Sequence, residues 1–199
     1  MQLFVDIDGV LLDFERGFVR WLNNQHGMGL PQDYEPADWG FTDVLDPEEL
    51  QRRWMNYMAS PEAGRMEALI DPGHFNALTR PHTVHLLTNF PLHHMDKRVE
   101  NLALLGFAYQ SLHHCGFIAF EDTPPQSKAQ AIAELRRSHL PALFVDDHPH
   151  NCLDVVRNCP DVDVWLMSRR FNRTFDHPQV RRAEGWSSLL QHLGASGPP

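Results

Sequence analysis

Short apolar runs rich in β-branched and aromatic residues alternate along this chain with stretches of helical periodicity. The runs at residues 3–5, 84–88, 116–120, 142–145 and 162–167 read as five strands. Between them, residues 91–105 set Val99, Leu102 and Leu105 on one helical stripe, with Gly106 as the stop. Residues 127–137 carry Ile132 and Leu135 at i, i+3 spacing. A last helix is expected over 186–193, before a tail at 194–199 that is expected to fray. Strands alternating with helices predict an α/β fold, a parallel five-stranded sheet with helices on both faces.

Nearly eighty residues separate the first two runs, far more than a crossover needs. The segment has helices of its own. Phe14, Phe18, Trp21 and Leu22 form a stripe that ends before Gly27. Asp46-Pro47-Glu48-Glu49 combines an N-cap acid, a proline at the first helical position and a glutamate three residues after the cap. Leu50, Trp54, Tyr57 and Met58 follow at helical spacing, whereas residues 31–45 read as loop. The expected organisation is a core domain from residues 1–14 and 72–199, with a helical subdomain at 15–71 inserted after the first strand.

Composition narrows the function classes. With 42% hydrophobic residues in 199, the chain can build a core of ordinary size. A net charge of −9 gives it no general attraction for a nucleic acid polymer. No apolar run approaches membrane-spanning length, so no membrane partner is expected. The chain enters a strand without a charged-then-apolar leader, and Cys115, Cys152 and Cys159 form no close pair. The expected compartment is the cytoplasm. Thirteen histidines include His93-His94, His113-His114 and His148-x-His150, none at the i, i+4 spacing with a glutamate that marks a helical zinc site.

Candidate chemistry gathers where the strands end. The first run leads into Asp6-Ile7-Asp8-Gly9. Period two sends both carboxylates to one side, and Gly9 lets the chain turn away sharply. Two acids this close repel unless a cation or proton is shared, which suggests a divalent metal; an Asx-type turn is the alternative. The second run ends in Thr88-Asn89 before a helix, where a hydroxyl and an amide can donate to an anion or cap the helix. Ser127-x-x-Gln130 is a capping box that puts Lys128 at the first helical position, against the helix dipole. Such a lysine either faces an anionic site or is solvated. Another run ends in Asp146-Asp147-His148, a second pair of site carboxylates or an acidic loop capping a helix at Asn151.

Asp6-Ile7-Asp8-Gly9-Val10-Leu11, Thr88-Asn89, Lys128 and Asp146-Asp147 resemble the four successive motifs of the haloacid dehalogenase superfamily. The likeness spans nearly the whole chain, with a helical cap between the first and second motifs. Residues 5–15 and Gly185-Trp186 also resemble 5′(3′)-deoxyribonucleotidases and their bacterial relatives. The resemblance implies a Rossmann-like three-layer core and a Mg2+-dependent phosphohydrolase acting on a small phosphorylated metabolite, with a nucleoside monophosphate as one candidate. It makes Asp6 the nucleophile and Asp8 the acid, then the base. Thr88, Asn89 and Lys128 would bind the phosphoryl group. Asp6, the backbone carbonyl of Asp8, and Asp147 would hold magnesium, with Asp146 nearby. Asp8 argues against halide displacement, which needs no acid for its leaving group. A sugar phosphatase, a phosphomutase using Asp6 and a non-catalytic binding protein are the alternatives. Trp21, Tyr34, Trp39, Phe41 and Trp54 can stack on a base or pack as core. Arg16, Arg20, Arg52 and Arg53 can grip a second anion or lie on solvated faces.

Overall fold

The computed structural model describes residues 1–116 and 126–195. Its strands are β1 (Gln2–Asp6), β2 (Thr83–Thr88), β3 (Ser111–His114), β4 (Ala142–Asp146), β5 (Val162–Met167) and β6 (Val180–Ala183). All neighbours pair in parallel, in the order β3-β2-β1-β4-β5-β6. The helices are α1 (Phe14–His26), α2 (Pro47–Ala59), α3 (Pro72–Thr79), α4 (Met95–Leu105), α5 (Lys128–Leu135), α6 (Pro149–Asn158) and α7 (Trp186–Ala195).

The sheet therefore has six strands among the described residues, not the expected five. Both unexpected strands are edges, where one flank meets solvent and apolar alternation is lost. β3 reads Ser-Leu-His-His and is half-buried throughout. It precedes the run expected at 116–120, of which residues 117–120 lie outside the described ones. β6 reads Val-Arg-Arg-Ala, with exposed Arg181 paired to Asp163 at 3.2 Å. The last tail residues, 196–199, also lie outside the described residues.

Alternation along the central strands fills two cores. Leu3, Val5, Leu143 and Val145 face one cluster with Phe75, Leu102, Trp186 and Leu189. Phe4 and Phe144 face the other, with Ile132 of α5 and Val155 of α6. This is the period-two logic of a strand buried on both faces.

A third cluster lies between β1 and β2 in sequence. Phe18, Trp21 and Leu22 of α1 pack on Trp54, Tyr57 and Met58 of α2, joined by Phe41 and by Phe90 from beyond β2. The helix boundaries follow from their caps. Asp13 accepts from Arg16 N and Asp46 from Glu49 N, while Gly27 ends α1 in the left-handed region at φ 60°. The expected Ser127–Gln130 box caps α5 with both of its hydrogen bonds.

Only α4 turns a different face inward. Val99 is 47% exposed, and the buried positions are Arg98, Asn101 and Leu102. Asn101 exchanges two hydrogen bonds with the Met66 backbone, at 2.9 and 3.1 Å. Arg98 serves the site described below. No helix among the described residues is long and apolar enough to cross a membrane.

Candidate active site

β1 and β4 are neighbours at the point where the strand order reverses, so their carboxyl ends open a crevice. Asp6 ends β1 and Asp146 ends β4. Lys128, at the first turn of α5, lies buried between them, its Nζ 2.5 Å from Asp6 Oδ1 and 2.7 Å from Asp146 Oδ2. The lysine opposes the helix dipole because two carboxylates hold it there. Asp146 also accepts from His148 N at 2.7 Å and from Asn151 Nδ2 at 3.1 and 3.2 Å. The Asp147 carboxylate lies over Gly9, whose φ of +81° and missing side chain permit that approach.

Carboxylate oxygens of Asp6, Asp146 and Asp147 all lie within 4.8 Å of one another, and all three residues are buried. Burial pushes the Asp6 carboxyl up to about 8; Lys128 opposes the rise, and Asp146 and Asp8 add to it. Burial likewise drives Asp147 well above the ordinary carboxylate range, with Asp6 and Asp146 contributing. For Lys128 burial works against the charge, but Asp146 and Asp6 outweigh it and raise its pKa. Three carboxylates this close cannot all be ionised beside one lysine, and oxygen donors at this spacing suit a hard divalent cation that would take the place of the retained protons.

Asp8 is held from the opposite direction. Arg98 is fully buried, with Nη2 2.7 Å from Asp8 Oδ1 and Nε 3.1 Å from Asp8 Oδ2. Its Nη1 donates to the Ala63 carbonyl, and its guanidinium carbon lies 3.6 Å from the Phe90 ring centroid. Thr88 is fully buried: its hydroxyl accepts from Phe90 N at 3.0 Å and donates to Asp8 Oδ2 at 3.5 Å. Asn89 lines the crevice and donates to the Gly116 carbonyl, while accepting from Asn151.

The sequence-predicted Asp6, Asp8, Thr88, Asn89, Lys128, Asp146 and Asp147 are thus brought to one sheet edge. Arg98 and Asn172 were not anticipated; Asn151, expected as a helix cap, lies inside α6, which His148 caps, and donates to Asp146 instead. Asn172 is buried and donates to the backbone carbonyls of Asp147 and Met167 at 2.7 and 2.8 Å, tying β5 to the loop after β4. One signal for Arg98 was present: residues 98, 102 and 105 also form a helical stripe, and an arginine there implies a buried partner.

Above the floor opens a cavity of about 400 Å³. Its walls come from α1, the loop before α2, α2 itself and the turns after β2 and β5. Glu15 at the start of α1 faces it, its carboxyl pushed up to about 7 by burial against the pull of Arg169, with Asp13 and Glu35 adding to the rise. Trp39 makes edge contacts with Trp54, ring centroids 4.5 Å apart, and with His148 of the core at 5.3 Å. The candidate arginines do not line the cavity: Arg52 and Arg53 pair with Glu49, Arg20 with Glu67 and Arg16 with Asp13.

No protein-family model matches the sequence, and no curated protein matches it. Solved structures do. The HAD-hydrolase YfnB from Bacillus subtilis, bound to magnesium, has a TM-score of 0.58 at 16% identity, covering 97% of this chain and 98% of that one. The L-2-haloacid dehalogenase from Xanthobacter autotrophicus, with chloropropionic acid covalently bound, has a TM-score of 0.60 at 12% identity, covering 98% and 99%. CbbY from Rhodobacter sphaeroides, in complex with phosphate, has a TM-score of 0.56 at 14% identity, covering 94% and 95%. The chain carries the fold of the haloacid dehalogenase-like hydrolases, with its acids at that fold's strand-end crevice.

Proposed function

We propose that this chain is a magnesium-dependent phosphohydrolase that cleaves a small phosphomonoester through an aspartyl-phosphate on Asp6. The observation that carries the reading is the buried cluster of Asp6, Asp146 and Asp147 beside a second positioned acid, Asp8. Similar structures include dehalogenases, but a halide leaves a carbon without a proton, so that chemistry has no use for Asp8. Residues 15–71 act as a helical cap over the crevice, supported by their own hydrophobic cluster and the Trp39–His148 contact.

An Asp6 oxygen attacks phosphorus, the bond to the alcohol oxygen breaks, and the phosphoryl group passes to the aspartate. Asp8 gives a proton to the departing oxygen and takes one from the water that hydrolyses the intermediate. Arg98 Nε donates to Asp8 Oδ2, and its Nη2 pairs by charge with Oδ1 at 2.7 Å, so proton delivery requires Asp8 to loosen from the guanidinium. Lys128 orients Asp6 and faces the charge shifting over the phosphoryl oxygens. Asp6, Asp147 and the Asp8 carbonyl would hold magnesium, since Asp146 is engaged by Lys128, Asn151 and the His148 amide. When bound, magnesium neutralises phosphate charge and fixes its orientation.

A chromogenic phosphoester tests this directly. Chelation should abolish phosphate release, magnesium should restore it, and calcium, larger and less strictly octahedral, should inhibit. Asp147→Ala should raise the magnesium concentration for half-activation more than Thr88→Ala does. Metal-independent halide release from 2-chloropropionate, with no phosphate release, would overturn the proposal.

The raised carboxyls give a pH signature. Because the folded protein keeps protons on Asp6 and Asp147 that the unfolded chain loses, their contribution to metal-free stability falls as pH rises above the ordinary carboxylate range, for Asp6 through about 8. Metal binding must displace those protons. The rise in Tm on adding magnesium should therefore be larger at pH 8 than at pH 6, compared against chelator by thermal unfolding. A magnesium shift equal at both values would contradict the assignment of these ligands.

A further inference from the structure

Above its acidic floor the cavity is walled by Phe14, Trp39, Phe41, Trp54, Phe90 and Phe171. Among the described residues, Lys128 is the sole lysine or arginine that lines it, and Asp6 and Asp146 occupy its ammonium. Residues 117–125 contain neither lysine nor arginine. The polar wall group contributed by the inserted segment is Glu15, an acid. Asn151 and Asn89 are tied to Asp146 and to the Gly116 carbonyl.

A second phosphate or carboxylate entering these walls would shed its hydration with no lining lysine or arginine free to meet it, since the nearby Arg169 donates to the Gly9 and Ser168 carbonyls. Beyond Glu15, His148 and His150, sugar hydroxyls and base-edge amides would face ring carbons and lose most of their hydrogen bonds to water. A flat apolar group meets neither penalty and gains contact with the rings. We propose that the phosphomonoester this site accepts carries an uncharged, apolar and preferably aromatic organic group, with the phosphate as its single anion. This deepens the phosphohydrolase reading and rests on it. It departs from the nucleoside monophosphate that the sequence resemblance suggested, because the cavity matches a base's faces but not its polar edges or its ribose.

Leaving-group chemistry must be held constant, since aryl phosphates hydrolyse readily for reasons unrelated to a pocket. The test therefore compares primary-alcohol esters: 2-naphthylmethyl phosphate, ribose 5-phosphate, adenosine 5′-monophosphate and fructose 1,6-bisphosphate. The expected KM for the naphthylmethyl ester is lower than for the other three by about tenfold or more. Trp39→Ala should raise it more than it raises the KM for ribose 5-phosphate. Equal or better KM values for the sugar, nucleotide or bisphosphate would overturn the inference and leave the phosphohydrolase reading standing. If none of the esters is hydrolysed in an Asp6-dependent way, that reading falls, and calorimetry decides the inference separately. 2-Naphthylmethylphosphonate binding the magnesium-loaded protein at least about tenfold tighter than methylphosphonate supports an apolar site. Equal affinity refutes it.

Discussion

Asp6→Asn is expected to lower phosphoester turnover by more than ~10³-fold, because an amide cannot form the covalent intermediate and acid–base help alone is worth roughly 10²–10⁴. The substitution is isosteric at a buried strand end, so β1 keeps its pairing with β2 and β4. Stability should hold or rise. The amide takes away one of three crowded carboxylates, and Lys128 would keep Asp146 as its partner at 2.7 Å. Phosphate release and thermal unfolding on the same preparation check both halves. A variant retaining more than a tenth of wild-type turnover would rule out covalent catalysis at Asp6. A variant that fails to fold would instead show that the Asp6–Lys128 pair holds the sheet edge together.

What the sequence showed, and what it concealed, divides along physical lines. Central strands buried on both faces are near-continuous apolar runs, so β1, β2, β4 and β5 were legible. β3 and β6 are edges with half their surface in solvent, and their Ser, His and Arg positions erase the pattern. The positions of Asp6, Asp8 and Lys128 were readable because a strand end followed by glycine or a capping box fixes where a side chain goes, and those of Asp146 and Asp147 because an apolar run stops at them. Phe171 and Asn172 sit on a short turn with no such marker, and only the fold carries them to the crevice and the loop beside it. The aromatics between β1 and β2 support both readings at once: Trp21 is core, whereas Trp39 and Trp54 pack and still border the cavity. The arginines prove more local than their number suggested, since Arg20, Arg52 and Arg53 each sit beside a glutamate.

Arg98 is where that division has the largest consequence, because it joins three parts of the molecule that sequence keeps apart. It projects from α4, carries both oxygens of Asp8, and donates to Ala63 in the turn after α2. Lys97 beside it donates to the carbonyls of Ala59 and Ser60, so one turn of α4 anchors the end of α2 and the turn after it. Arg98→Met keeps much of the side-chain volume but removes every donor. It leaves the Asp8 carboxylate facing an apolar wall and the Ala63 carbonyl without its guanidinium. Breaking one side of a buried pair typically costs ~3–5 kcal/mol, which for a chain of this length is a fall in Tm on the order of 10 °C. Much of that loss belongs to the orphaned charge rather than to the pair. Asp8→Asn placed on top of Arg98→Met should therefore recover part of the stability, a non-additivity readable from denaturant or thermal unfolding of the four proteins in the cycle. Turnover should also fall in Arg98→Met, and more for alcohols that leave poorly than for those that leave well, since a wandering Asp8 delivers its proton less often. Strict additivity in the cycle, together with an unchanged dependence on the leaving group, would mean that Arg98 merely fills space beneath Phe90.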